Sequence, residues 1–526
     1  MRRMVAGKIA ALISMLFLLG CGGGGGSGGN EANDTVPPST VSKGLKALSD
    51  EKIAKLNETE RLRIVSKLYA TLYKGFDVQT LRTSLAEGDL LNDLRQTLHR
   101  RDIVQPDREK IFIDDYTIPY NARAGDRLFE KRWRIYAQIA STLYYTRLSR
   151  EYFDEWLAYI LEQTIMFSPA YEVDSVKKFP ELIASNHQRI RNALAADEPI
   201  SQIVYEHMSA KENWARFRSP EDNGRGMLEI WLYDYEDAHV PLAAKALRNW
   251  RWEVRREKNS EGEYGDVYRF YNDENNPDEI NTEPVTILGE SVTTGSDFYR
   301  MISEHPRLIP TVTDRLVNLF FPTFKSEEKK RIVEAILEGH PRTFREIVEQ
   351  IIFSEKYLLE SDRIKSPEEI YMPLNRILGM EPTGTSFRYF FTRCLLPGNQ
   401  APFTYKLGRL DEGVDDTDSV VRIHQYIRSA VFLNRRKDGW DAGALRERYD
   451  AATLQEYLEH LFIDLLGRGM SDGERRTLTA IASDAGIDPQ RPRDWDKFAM
   501  TLLAFDYLSR LSEIYTYSKI STEGGK

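Results

Sequence analysis

From Leu45 onward apolar residues return at every third or fourth position along almost the whole chain. That spacing puts side chains on one face of an α-helix, so the chain is committed to helices whose apolar stripes must cover one another. The first clear case follows Asn57, which forms a capping box with Glu60. Ile64, Val65, Leu68, Tyr69 and Leu72 then share a face before Gly75 closes the turn. Asp77 opens a second helix with Leu81 and Leu85 and a stop at Gly88, and Leu90, Leu91, Leu94 and Leu98 form a third. Segments 127–145 and 152–167 are helical and rich in aromatic residues, and Pro169 ends the latter. The same reading predicts helices at 187–196, 200–208, 225–233, 240–257, 297–303, 308–320, 326–338, 342–354, 366–378, 385–394, 419–435, 443–448, 453–466, 471–483 and 494–515. Ser326, ahead of Glu327 and Glu328, is expected to cap its helix. The expected fold class is all-α, a multi-helix array.

One excursion breaks the pattern. Segment 263–271, with Tyr264, Val267, Tyr268 and Phe270, has strand character, and 285–288 is expected to pair with it across the acidic loop 272–283 as a small hairpin-like insertion. Strands and crossover helices do not alternate, which excludes Rossmann and barrel enzymes.

The chain has 526 residues, 41% of them hydrophobic, enough to bury a core without covalent staples. Its two cysteines exclude a disulfide framework and a thiolate-rich zinc site. A formal net charge of -9 argues against a surface built to hold nucleic acid.

The N-terminus carries an address. Arg2, Arg3 and Lys8 precede an apolar run, Ile9 to Leu19, that is too short to span a bilayer, and the run ends in Leu18-Leu19-Gly20-Cys21. This tetrapeptide resembles the lipobox of bacterial lipoproteins, which implies cleavage before Cys21 and acylation of its sulfur. Gly22 to Gly26, Ser27, Gly28 and Gly29 lead into a polar stretch with Pro37 and Pro38, a composition that stays extended and flexible. Inner-membrane retention often has Asp beside the lipidated cysteine; Gly22 there points to the outer membrane. The organisation read from these features is a signal peptide at 1–20, a tether at 21–44, an N-terminal helical segment at 45–120, a main helical domain at 121–435 and a C-terminal helical segment at 436–526.

Within the main domain a series of ordered motifs resembles the bacterial domain of unknown function 1800 family. Asn223-Gly224-Arg225-Gly226-Met227-Leu228-Glu229-Ile230-Trp231 is followed by Tyr235-Glu236-Asp237, then by Ala243-Ala244-Lys245-Ala246-Leu247-Arg248-Asn249-Trp250. Ile287-Leu288-Gly289, His305-Pro306, the paired Phe320-Phe321, Phe353-Ser354 and Lys365-Ser366-Pro367 continue the order, over residues 120 to 435. The resemblance implies a helical fold and, as a partner, an exported sulfatase-related protein encoded nearby. The chain departs from the family at two polar elements. A histidine-bearing helix becomes Phe153-Asp154-Glu155-Trp156, and a His-Asp pair becomes Asn272-Asp273.

No metal or catalytic motif stands out. The eight histidines (His99, His187, His207, His239, His305, His340, His424 and His460) form no His-x-x-x-His face. Nucleophile elbows and phosphate loops are absent outside the tether. Two acidic loops offer hard oxygens for calcium, the only cofactor left open: Asp273, Glu274, Asn275, Asn276, Asp278 and Glu279, and Asp411, Glu412, Asp415, Asp416 and Asp418. Arg225 and Glu229 lie one helical turn apart near Trp214, Trp231, Trp250 and Trp252. This set is a surface ion pair, a core ion pair among packed rings, or the edge of a sugar-binding cleft. The sequence therefore reads as a membrane-anchored binding or scaffolding protein that does not act as an enzyme. The alternative is a hydrolase of envelope polymer using Glu229, Arg225 and Asp273.

Overall fold

The structure, a computed structural model, describes residues 44–75, 90–106, 124–166, 181–234, 236–258, 264–272, 274, 280–377, 384–395, 425, 449 and 451–520. Cys21, the tether but for its last residue, the helices expected at 77–88 and 443–448, that expected at 419–435 apart from residue 425, Asp273, Asn275, Asn276, Asp278, Glu279 and the loop from Asp411 to Asp418 lie outside them.

The described chain is mostly helical. It runs α1 (Asp50–Ala54), α2 (Glu58–Thr71), α3 (Leu90–Thr97), α4 (Ala124–Tyr145), α5 (Arg150–Gln163), α6 (Glu181–Ala195), α7 (Ile200–Ser209), α8 (Lys211–Trp214), α9 (Pro220–Leu232) and α10 (His239–Ala246). Two hairpins follow: β1 (Arg251–Lys258) with β2 (Tyr264–Tyr271), and β3 (Val285–Ile287) with β4 (Glu290–Val292). The chain then continues as α11 (Gly295–Glu304), α12 (Leu308–Phe320), α13 (Ser326–Glu338), α14 (Phe344–Ile352), α15 (Pro367–Ile377), α16 (Gly384–Phe390), α17 (Leu454–Leu466), α18 (Asp472–Asp484), α19 (Asp494–Leu508) and α20 (Ser512–Tyr515).

Local chemistry sets the helix starts. Asn57 accepts from the Glu60 amide at 2.9 Å while Glu60 accepts from the Asn57 amide at 3.0 Å. The same reciprocal box opens α11, α14, α17 and α18 at Thr294, Thr343, Thr453 and Ser471. At α13 the capping position belongs to Lys325, and Ser326 is the first helical residue. The segment expected as one helix at 494–515 is divided into α19 and α20.

The strand pairing differs from the expected one. β2 pairs with β1, residues read as the end of a helix at 240–257, and 285–288 turns back on itself. In 240–257 the helical face formed by Ala243, Ala246, Leu247 and Trp250 stops at Trp250. Beyond it Arg251, Glu253, Arg255 and Glu257 alternate with Trp252 and Val254, which is the period of a strand. β3 and β4 are joined by Leu288 and Gly289 at φ 52° and 87°, the left-handed pair that a two-residue hairpin of matching twist requires.

Among the described residues one large apolar core runs from Leu48 to Ile520, with a small satellite cluster of Leu62, Val65, Leu90 and Ile463. Trp214, Trp231 and Trp250 belong to the large core, and Trp252 packs against it. Trp214 stacks on Trp250 with centroids 5.9 Å apart, Trp250 meets Tyr299 edge-on at 5.1 Å, and Trp231 is buried nearby. This cluster is packing, so the sugar-cleft reading is replaced by a structural one. Gly295 is part of the fit, because a Cβ there would collide with the Trp250 indole, whose Nε1 donates to Glu274 at 3.0 Å. Gly295→Ala is expected to lower stability by about 1–3 kcal/mol through overpacking, measurable as a shift of the urea midpoint at unchanged slope.

Both ends of the described chain dock on one stretch. Leu48 N donates to Phe353 O at 2.9 Å, with Ala47 bridging Ser354, while Lys365 N donates to Tyr515 O at 2.7 Å and Ile520 N to Leu359 O at 2.7 Å.

Candidate functional site

The densest chemistry in the described residues lies on α5, which holds Phe153-Asp154-Glu155-Trp156. Ser149 caps the helix by accepting from Tyr152 N at 3.0 Å, and every residue from Tyr152 to Gln163 is buried. A helix covered on all sides cannot carry Arg150, Asp154, Glu155 and Glu162 without partners, because an unpaired buried charge costs several kcal/mol. Neighbouring elements provide them. Asn186, His187 and Arg191 come from α6, Asp197 from the turn after it and Arg345 from α14.

Two linked clusters result. In the first, Arg345 donates to Asp154 and Asp197, and Arg150 donates to the same two carboxylates, reaching Asp154 at 3.2 Å. Asp197 can face both guanidinium groups because its backbone is left-handed at φ 57°, a conformation that aspartate tolerates better than most residues. Burial pushes the Asp154 carboxyl up, opposed by Arg345 and Arg150. On Asp197, the hydrogen bonds from the same two arginines outweigh burial and lower it.

In the second cluster His187 is clasped from both sides. Its Nδ1 lies 2.6 Å from Glu162 Oε2 and its Nε2 2.8 Å from Glu155 Oε1. Asn186 steadies Glu162 at 2.9 Å, and Arg191 reaches Glu155 at 3.5 Å. Burial by itself would lower the imidazole pKa, but Glu162 and Glu155 outweigh it and push His187 up to about 10. The ring is therefore an imidazolium at neutral pH, donating from both nitrogens, and it has no lone pair with which to accept a proton. Its neighbour His207 behaves oppositely. Burial, with Arg189 and Arg216, holds it well below the usual range, and Arg189 donates to its Nδ1 at 3.1 Å.

A concavity of about 420 Å³ opens beside the first cluster, lined by Arg101, Arg150, Glu151, Asp154, Arg191, Asn192 and Ala195. Its arginines are engaged: Arg101 with Asp197, Arg150 with Asp154 and Arg191 with Glu155. Chemically the centre ties α5, α6 and α14 together with buried, mutually neutralising charge.

The residues singled out by sequence do not converge. Arg225 is exposed and pairs with Asp237 at 2.8 Å, not with Glu229, so the expected core ion pair is corrected. The reason is that Met227, Leu228, Ile230 and Trp231 take the inner face of α9 and turn Arg225 to solvent. Glu229 is half-buried, and its carbonyl accepts from Arg315 at 3.1 Å. Of the first acidic loop the described residue is Glu274, which takes Trp250 Nε1 and the Ser296 amide at 2.8 Å and so helps fix the start of α11. Among the described residues no group of three or more His, Cys, Asp or Glu side chains is placed to hold a metal ion, and no helix is long and apolar enough to cross a membrane. No family model, curated protein or solved structure matches the chain.

Proposed function

We propose that the protein is a lipid-anchored bacterial envelope protein, held at the outer membrane through Cys21, whose helical body binds or organises other exported proteins without turning over a substrate. The observation that carries this reading is Leu18-Leu19-Gly20-Cys21 followed at once by a glycine-rich tether, an arrangement that places a folded body beside a membrane with freedom to reach a partner. The ordered motifs between 120 and 435 support a divergent relation to the domain of unknown function 1800 family, and with it an exported sulfatase-related protein as the partner to look for first. The chemistry of the buried charge centre is consistent with a non-catalytic body, since His187 is an imidazolium and its two flanking glutamates are occupied by it.

Two measurements test the proposal. Cys21→Ser is expected to move the protein from the membrane to the soluble fraction; persistence in the membrane fraction would remove the anchor from the account. Cross-linking in intact cells followed by mass spectrometry is expected to recover exported proteins with the wild type. Their absence, together with turnover of an envelope polymer by the purified chain, would replace binding by hydrolysis.

A further inference from the structure

Lys67, Lys74 and Lys365 are the buried lysines among the described residues, and a buried ammonium has three N–H groups to satisfy. Lys74 satisfies all of them, donating to Leu143 O at 2.6 Å, Tyr144 O at 3.0 Å and Thr146 O at 2.7 Å. Lys67 donates to Tyr357 O and, at 2.6 Å, to Ser361 O, beside the rings of Tyr357 and Tyr517. Lys365 donates to one carbonyl, Glu513 O at 2.8 Å, with the Tyr517 ring centroid 5.1 Å away. Glu369, whose charge favours the protonated form of Lys365, is taken up by Arg363 at 2.8 Å, Tyr517 at 3.1 Å and the Ser366 amide at 2.6 Å.

Lys365 also lines a cavity of about 40 Å³ between α2, α15, α17, α19 and α20. The wall is mostly apolar, with Ala70, Ile370, Leu374, Leu465, Phe505 and Ile514. Ile514 directly follows the residue that accepts from the Lys365 amine, which brings that amine to the α20 side of the cavity. Lys74 lines it too, but an amine that donates to three carbonyls keeps no lone pair for chemistry. A water molecule takes about 30 Å³ in the liquid, so the space holds one or two heavy atoms beside the amine. Burial, opposed by Glu369, brings Lys365 down to about 8, and at neutral pH a useful fraction of it is the unprotonated nucleophile.

A free amine beside a small apolar space is suited to addition to a carbonyl group. The adduct that fits is neutral, because a mostly apolar wall stabilises a buried anion poorly. We propose that Lys365 captures an aldehyde of one or two carbons as an imine in this cavity. The nitrogen lone pair adds to the carbonyl carbon, the carbinolamine loses its oxygen as water, and a C=N bond replaces the C=O bond with no oxidant or reductant consumed. Hydrolysis reverses the step and returns the same aldehyde, so the site binds its ligand covalently without turning it over. This site is independent of how the chain is anchored or which proteins its body binds.

The test treats the folded full chain, in non-ionic detergent at neutral pH, with limiting acetaldehyde and sodium cyanoborohydride. The reductant fixes the imine as an ethylamine, and peptide mass spectrometry reads each lysine separately. Lys365 is expected to be ethylated about tenfold or more faster than the exposed Lys46, Lys330 and Lys519, because its lower pKa leaves far more free amine. Benzaldehyde, whose ring needs a cavity of about 150 Å³, is expected to modify the exposed lysines and spare Lys365. In the urea-unfolded chain the preference is expected to vanish. Lys365 left unmodified, modified no faster than the exposed lysines, or modified as readily by benzaldehyde would overturn the assignment, as would a preference that survives unfolding.

Discussion

Asp154→Ala is expected to destabilise the protein by about 3–5 kcal/mol, the loss that follows when one member of a buried ion-pair network is removed and its partners stay charged. Asp154 is the carboxylate shared by Arg150 and Arg345, whose side chains are 9% and 7% exposed. Without it the two guanidinium groups face each other with Asp197 alone between them, and Asp197 is 48% exposed and partly screened by solvent. Chemical denaturation with the slope held constant measures the loss. The companion variant Asp154→Leu with Arg345→Met removes a charge of each sign and leaves Arg150 to Asp197. It should recover much of the deficit, because apolar packing of similar volume replaces a buried pair at little net expense. A deficit under 1 kcal/mol in the single variant would show that water reaches the centre and that the network is not dry.

The second large effect concerns His187 and pH. Its folded pKa of about 10 lies above the 6.5 of an unfolded histidine. The stabilisation from its proton is therefore complete below pH 6.5 and fades as pH rises through 10. A shift of that size corresponds to something on the order of 5 kcal/mol. Lys365 works the other way: burial, opposed by the weaker pull of Glu369, brings it down to about 8, so its contribution improves as pH rises from 8 toward 10.5. The total stability profile mixes the two, and the difference between wild type and His187→Gln isolates the histidine. That difference should shrink from pH 7 to pH 10. Nitrogen chemical shifts of the imidazole give the direct reading, with both ring nitrogens protonated at pH 8. A neutral ring at that pH would mean that one of the flanking glutamates holds the proton instead.

Much of the fold could be read from the sequence because its causes are local. The Asn57–Glu60 box, the stripe from Ile64 to Leu72 and the acidic first turn of α13 depend on residues within one or two turns of each other, and the structure bears them out. β1 was hidden by overlap. Ala243, Ala246, Leu247 and Trp250 obey a helical period up to the residue where a strand period takes over, and Trp252 extends the apolar pattern in either register. The buried charge centre was illegible for a different reason. Glu155 and His187 are 32 positions apart and Asp154 and Arg345 are 191 apart, so no spacing rule connects them. One signal was present: α5 carries five charged residues, four of them buried, on a segment whose other positions apart from Gln163 are apolar or aromatic on every side, and such a helix is obliged to find counter-charges elsewhere. The Arg225–Glu229 pair misled because two charges one turn apart say nothing about which face of a helix looks inward.

The docking of Leu48 on Phe353, and of Tyr515 and Ile520 on Lys365 and Leu359, dictates an order of assembly. The stretch from Phe353 to Lys365 is held by a segment made long before it and by another made about 150 residues after it. Closing such distant loops is entropically slow, so this part of the native state forms only after residue 520 has been delivered, and a nascent chain stays pliable until then. Shortening the protein by its final ten described residues would leave that waiting stretch open on one side, and proteases would be expected to find it there first.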